Sequence, residues 1–217
     1  MPKKLILFPF GGNAREALTV IRDINKIKRE WEVFGFIDDD PKTWGKIFLG
    51  VKVLGARAIL KKFKSSHVLA VPGREDTYLA RQATIEGLKV SPSRFAAIIH
   101  PRAVISDGAK VGYNIVIMAN VIASCDVKIG NHCVILPNSV ISHDTSIGNY
   151  CFVGSNASIS GFVAVGKSCY IGSGAKIRGN VTIGEKSLVG LGAVVIKNVP
   201  QKVVVAGNPA KILNKSI

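Results

Sequence analysis

A six-residue repeat runs through nearly half of this 217-residue chain and leaves it few folds to adopt. Cut every six residues from Ala103, the chain reads AVISDG, AKVGYN, IVIMAN, VIASCD, VKIGNH, CVILPN, SVISHD, TSIGNY and onward to AVVIKN, which ends at Asn198. The third residue of all sixteen hexads is aliphatic, from Ile105, Val111 and Ile117 through Val189 and Val195, and only Ala123 is small. The first residue is always Ala, Ser, Thr, Cys, Val or Ile. A period of six matches neither the 3.6 of a helix nor the 2 of a simple strand. It matches a short strand and a corner, repeated as the faces of a triangular prism, which is the parallel β-helix of hexapeptides. Three hexads make one coil of 18 residues. At the spacing of paired strands, sixteen hexads give just over five coils, roughly 25 Å of prism. The aliphatic third residue points inward, and the frequent Gly or Ser at the fourth position marks the bend. No hexad is interrupted, so no long loop leaves the prism.

Stacking then becomes arithmetic, because residues 18 apart lie above one another. Cys133, Cys151 and Cys169 form such a ladder and read as packing residues, not as a metal site or a disulfide framework. His143, followed by Asp144, falls at the fifth position of its hexad, a corner. Gly161 lies one coil above it and Gly179 two, with Cys125 one coil below. The coil above this imidazole therefore has no side chain at that corner. An open slot is expected along the prism edge, beside exposed backbone amides and suited to a long thin ligand. On the residues alone His143 is either a general base or a solvated corner histidine. His132, at a sixth position, lacks this context.

The first half alternates differently. KKLILF (3–8) reads as a buried strand, GGNAREALTVIRDINK as a turn and amphipathic helix, and WEVFGFID as a second strand. VKVLG is a short strand, ARAILKKFK a helix, HVLAVPG a strand, REDTYLARQATIEG a helix and RFAAIIH a last strand. This is the pattern of a small Rossmann-like parallel α/β domain. Its strands' carboxyl ends, where ligands sit in such sheets, carry Gly11-Gly12-Asn13, Asp38-Asp39 and Gly73-Arg74. Pro9 supplies no N–H for cradling phosphate, and the turn lacks the G-x-G-x-x-G fingerprint, so NAD is not expected; a plain strand-to-helix turn is the competing reading. Three units follow: a Rossmann-like α/β domain over 1–95, a β-helix prism over 103–198, and a tail over 199–217 that closes it.

The net charge of +15 is spread over both halves, +9 in residues 1–102 and +6 in 103–217, with no basic run longer than two. That favours phosphate-bearing ligands over nucleic acid. The apolar runs are too short for a transmembrane helix, so no membrane partner is expected, and a cytoplasmic location is.

The small α/β domain, the uninterrupted hexads containing SVISHDTSIG, and the close GAVVIKNVPQKVVVAGNPAKIL together resemble the NeuD/PglD-type bacterial sugar acyltransferases, over nearly the whole chain. The resemblance implies a left-handed β-helix, a homotrimer, and acetyl-CoA as co-substrate lying along the edge between neighbouring prisms, with no metal. It implies acetyl transfer to the amino group of a nucleotide-linked amino sugar. His143 matches the family's general base and Asp144 the acidic residue after it. The cofactor contacts fall on Phe152, Gly161, Ser173 and Leu191, and the substrate contacts on Gly12, Asn13, Asp38, Asp39 and Gly73. Relatives carry histidine where this chain has Phe152 and Asn13, and glycine where it has Pro9.

Three rivals share parts of this pattern. A γ-type carbonic anhydrase needs three histidine ligands, and only His132 and His143 lie within the repeat. A sugar O-acetyltransferase differs only in the acceptor atom. A non-catalytic nucleotide-sugar-binding protein would explain the degraded glycine turn. The apolar hexads IVIMAN and VIASCD are expected to form the contact between copies.

Overall fold

The structure, a computed structural model, describes residues 1–214. Residues 18 apart pair in parallel, as the repeat requires. One face of the prism stacks Val104, Ile122, Val140, Ser158, Lys176 and Val194, each with the residue after it. The second face runs from Lys110–Val111 to Thr182–Ile183, and the third through Ile115–Ile117, Val134–Ile135, Phe152–Val153, Tyr170–Ile171 and Leu188–Val189. The prism is a left-handed β-helix. Its interior holds the aliphatic third residues and also the first residues of the hexads.

The polar first residues have a reason the repeat does not state. The Thr145 hydroxyl donates to the Ser160 carbonyl at 2.8 Å, and Ser139 reaches Gly154 O at 2.8 Å. The Cys133, Cys151 and Cys169 thiols donate to Gly148, Gly166 and Gly184 carbonyls at 3.2, 3.0 and 3.1 Å. Each side chain satisfies a fourth-position carbonyl turned into the core one coil further on; the Gly184 carbonyl accepts the Ser187 N–H at 3.3 Å as well. The cysteine ladder is therefore structural, as expected, and all four cysteines are free thiols.

The bend is not where the sequence suggested. The sixth residue, not the fourth, takes the left-handed backbone, with φ between +51° at Asn114 and +79° at Gly108 in every hexad from 103 to 192. Asn, Asp and Gly tolerate that region best, which accounts for their frequency there. The fourth-position glycines serve close approach instead: a Cβ on Gly112 or Gly184 would come within 2.3 Å of the coil above.

The first unit is a three-stranded parallel sheet in the order β2–β1–β5, from β1 (Lys3–Phe8), β2 (Trp31–Phe36) and β5 (His67–Ala70), with the hairpin β3 (Ile47–Phe48) and β4 (Val51–Lys52) beside it. Helix α1 (Gly12–Ile27) buries Ala14, Ala17, Leu18, Val20 and Ile21 against this sheet and the prism. The helix expected in ARAILKKFK is a 3-10 turn over Arg57–Lys62, and that in REDTYLARQATIEG reduces to a 3-10 turn and the six-residue α2 (Arg81–Glu86). Neither has a side-chain cap, and each buries too little to form a stable stripe. The last expected strand, in RFAAIIH, belongs to the prism: Ala97–Ile99 pair with Ile115–Ile117, again 18 residues on. Phe95 and Ala96 hand the chain over, Ala96 N–H donating to Val68 O at 2.9 Å.

The first unit sits on the third face, whose outward residues Val116, Val134, Phe152 and Tyr170 share one core with Leu5, Leu7 and Leu18. IVIMAN is thus covered by the chain's own first unit and offers no contact to another copy: Ile115, Val116 and Ile117 are fully buried. VIASCD keeps Ile122 exposed, beside Val104. At the far end Val204–Ala206 add to the third face and Lys211–Asn214 turn back antiparallel; residues 215–217 of the expected tail lie outside the described residues.

Candidate active site

His143 projects from the edge between the first and second faces, its side chain 52% exposed. Asp144 occupies the left-handed sixth position, φ +59°, and from there its Oδ2 lies 2.9 Å from His143 Nδ1. A hydrogen bond to Nδ1 leaves Nε2 as the free ring nitrogen, the arrangement that directs an imidazole at a substrate. The imidazole lies against Gly161, one coil above. A Cβ built there would stand 2.6 Å from Cε1 and 2.7 Å from Nε2. The expected slot above His143 is therefore filled at its base by the imidazole itself, and only glycine at 161 permits this. The Gly161 N–H has no backbone acceptor among the described residues. Phe162, a residue the sequence did not single out, stands edge-on to the imidazole, ring centres 5.2 Å apart at 86°.

The other residues implied for the cofactor separate. Ser173 and Leu191 lie one coil apart on a different edge, that between the third and first faces, with Leu191 72% exposed. Within one chain they do not share an edge with His143. Phe152 is 4% exposed and stacks on Tyr170 at 4.9 Å in the seam under the first unit. Its side chain has no surface to offer a cofactor. An aromatic ring there extends the apolar seam.

Of the implied substrate residues, Gly12, Asn13 and Gly73 line one cleft of about 410 Å³ with Pro9, Gly11, Pro72, Arg74 and Thr77. The amino end of α1 opens here with no acidic residue in its first turn, so its unpaired N–H groups favour an anion. Asn13 braces the floor, its amide donating to Val71 O at 3.1 Å and Gly73 O at 3.0 Å. Asp38 and Asp39 do not line it. Asp38 accepts the Phe10 and Asp40 N–H groups, both at 2.8 Å. Asp39 binds Arg57; burial pushes its carboxyl up, but hydrogen bonds and charge from Arg57 outweigh this and hold it below the usual range.

One residue carrying the cleft was invisible in the sequence. Arg81 is fully buried, and its guanidinium donates to the carbonyls of Pro72, of His132 at 2.7 Å and of Tyr150 at 3.3 Å. Burial lowers its pKa to about 10, so it remains a cation at neutral pH. It fastens the Pro72–Gly73 loop to the prism. His132, stacked on Tyr150 at 4.6 Å and bonded through Nδ1 to the Asn114 amide at 2.9 Å, is a buried packing residue. It stands on a different edge from His143, so the two cannot supply ligands to one metal. Among the described residues no cluster of three His, Cys, Asp or Glu side chains forms a metal-binding group, and no helix is long and apolar enough to cross a membrane.

These features define a class, and comparison with known proteins agrees with it. The family "Bacterial transferase hexapeptide (six repeats)" matches residues 126–161, which contain His143, Asp144 and Gly161. No curated protein matches the chain at a significant level. Among solved structures, PerB from Caulobacter crescentus in complex with CoA and GDP-perosamine is 29% identical, with TM-score 0.85 over 99% of this chain and 98% of that one. The acetyltransferase domain of PglB from Neisseria gonorrhoeae is 25% identical, with TM-score 0.85 over 97% of this chain and 100% of that one. WeeI from Acinetobacter baumannii is 26% identical, with TM-score 0.79 over 98% and 100%. In fold and in its hexapeptide repeat the chain is similar to these sugar acetyltransferases.

Proposed function

We propose that this protein transfers the acetyl group of acetyl-CoA to the amino group of a nucleotide-linked amino sugar, with His143 as general base. The observation that carries this reading is the His143–Asp144 pair seated on Gly161, in a fold whose solved likenesses include a perosamine N-acetyltransferase. The neutral amine attacks the thioester carbonyl, and its proton passes to Nε2 of His143 as the carbon–nitrogen bond forms. The Asp144 carboxylate holds the tautomer and stabilises the imidazolium. The Gly161 N–H, which has no backbone acceptor among the described residues, is the donor this reading assigns to the developing oxyanion. Collapse expels the CoA thiolate, which takes the proton back from the imidazolium. No covalent enzyme intermediate is needed, so the buried cysteines have no part in it.

The two-edge arrangement supports a site shared between copies. Ser173 and Leu191 meet a His143 edge only when another prism's edge is brought alongside. The exposed Val104, Ile122 and Leu191 give the outer surface of the prism an apolar character suited to that contact. A cyclic homotrimer places one such site at each of three junctions, with CoA along the junction and the nucleotide in the Gly12–Asn13–Gly73 cleft. The cleft fits the diphosphate by its helix amino end and backbone amides.

The N-acetyl reading is tested by supplying acetyl-CoA with a panel of GDP-, UDP- and dTDP-linked amino sugars and following free thiol. Release that depends on one such sugar, with an N-acetylated product by mass spectrometry, is expected. Acetylation of a hydroxyl only, or no transfer to any of them, contradicts it.

A further inference from the structure

Phe162 is held at a cost to the backbone. It occupies a left-handed sixth position, φ +58°, where an aromatic residue is strained and where ten of the fifteen hexads between 103 and 192 place Asn, Asp or Gly. Tyr150 takes the same strained conformation but is compensated: it is buried, stacked on His132, and its hydroxyl donates to Glu86 at 3.1 Å. Phe162 has no such return, since it is 56% exposed. Its one aromatic neighbour is the His143 imidazole, which it meets edge-on. The Phe162 N–H also donates to the His143 carbonyl at 3.1 Å, which ties the two residues together through the backbone.

The imidazole is thereby bounded on three sides. Gly161 supports it from the coil above, Asp144 occupies Nδ1, and the Phe162 ring stands perpendicular to it. Nε2 is left open. Asp144 fixes one atom of the ring but not the rotation about its own bond to that atom, and an imidazole half exposed to water is free to swing unless something bulky stops it. Asparagine at 162 would relieve the backbone and remove the stop.

We propose that Phe162 is a positioning residue for His143, kept against backbone strain because its ring fixes the plane of the imidazole and holds Nε2 toward the acyl site. The role rests on His143 being the general base. It makes an unusual demand: the substitution that best suits the fold should harm the reaction.

The experiment compares Phe162→Asn and Phe162→Tyr with the wild-type chain. Phe162→Asn is expected to raise Tm by about 2–4 °C, the shift that relief of a strained residue gives in a chain of this size. It should lower kcat roughly tenfold to a hundredfold, the loss that a misplaced catalytic group entails, while leaving acetyl-CoA affinity unchanged. Phe162→Tyr keeps the ring and should restore kcat. A readout independent of turnover is the ¹³C relaxation of histidine Cε1: the His143 signal should become more mobile in Phe162→Asn and not in Phe162→Tyr, with the buried His132 as internal control. Should the wild-type chain acetylate no nucleotide amino sugar, the reading of the reaction fails, and the relaxation measurement still decides on Phe162. Unchanged His143 order in Phe162→Asn, or wild-type kcat in that variant, overturns the proposal.

Discussion

Gly161→Ala is the sharpest perturbation the site offers, because it adds one methyl group and changes nothing else. The new Cβ would stand 2.6 Å from His143 Cε1 and 2.7 Å from Nε2. Ordinary carbon contacts begin at about 3.5 Å, so the imidazole must retreat by roughly 1 Å. The retreat is open to it, since the side chain is 52% exposed. Gly161 is not among the residues with positive φ, so alanine meets no backbone penalty there. Replacing such a glycine by alanine stabilises a fold by about 0.4–1 kcal/mol, through the unfolded chain. The fold should therefore hold or gain slightly while the base is displaced. A displacement of about 1 Å in a reacting constellation costs on the order of a hundredfold, or about 2.7 kcal/mol of barrier. Steady-state thiol release and a thermal melt on the same sample separate the two effects. A hundredfold loss of kcat at unchanged or raised Tm is expected. Wild-type turnover would show that the imidazole's seat on Gly161 does not matter, and a lowered Tm would show that the glycine serves the fold.

Three further outcomes follow from the same geometry. Gly73→Ala introduces a Cβ at φ +101° and 2.5 Å from Arg81 Cγ, so it should raise KM for the nucleotide sugar at least tenfold and leave acetyl-CoA affinity as it was, measured by calorimetry on each ligand. His132 is held neutral in the fold, its pKa lowered to about 4 by burial first and the nearby Arg81 charge second. The unfolded chain thus binds the extra proton between about pH 6.5 and 4, and urea stability should fall as pH drops through that window, with a shallower fall in His132→Gln. Sedimentation equilibrium at micromolar concentration should return three times the 23.1 kDa chain mass, and a monomer mass would remove the shared site.

The prism was legible because its period is enforced by packing: each aliphatic third residue must enter the core, and a slip of one residue would expose it. The corner position of His143, with glycine above, followed from the same counting. What counting missed was local backbone detail. The fourth-position glycines looked like bends, yet they make room for the next coil, and the left-handed residue sits two places later. IVIMAN looked like a contact between copies because its apolar character is real; the surface it meets belongs to the same chain, and no local pattern distinguishes the two. Asp38 and Asp39 stood at a strand end as ligand-binding acids do, but backbone N–H groups and Arg57 claim them. Arg81 left no trace in the sequence, and the trace of Phe162 shows only once the sixth position is known to be left-handed. One is a cation whose partners are carbonyls from three distant segments, the other an aromatic in a slot that most hexads give to Asn, Asp or Gly.

The central claim is that His143 removes the proton from the attacking amine. Its most direct test is the pH dependence of kcat/KM for the wild-type chain, His143→Ala and Asp144→Asn on the accepted nucleotide amino sugar. The wild-type profile should show an acid limb that disappears in His143→Ala, whose kcat falls at least about a hundredfold with acetyl-CoA affinity unchanged. Asp144→Asn should cost less, since asparagine suits φ +59° and leaves the imidazole in place. A His143→Ala chain that keeps near wild-type turnover and the same acid limb would contradict the account and return His143 to the status of a solvated corner.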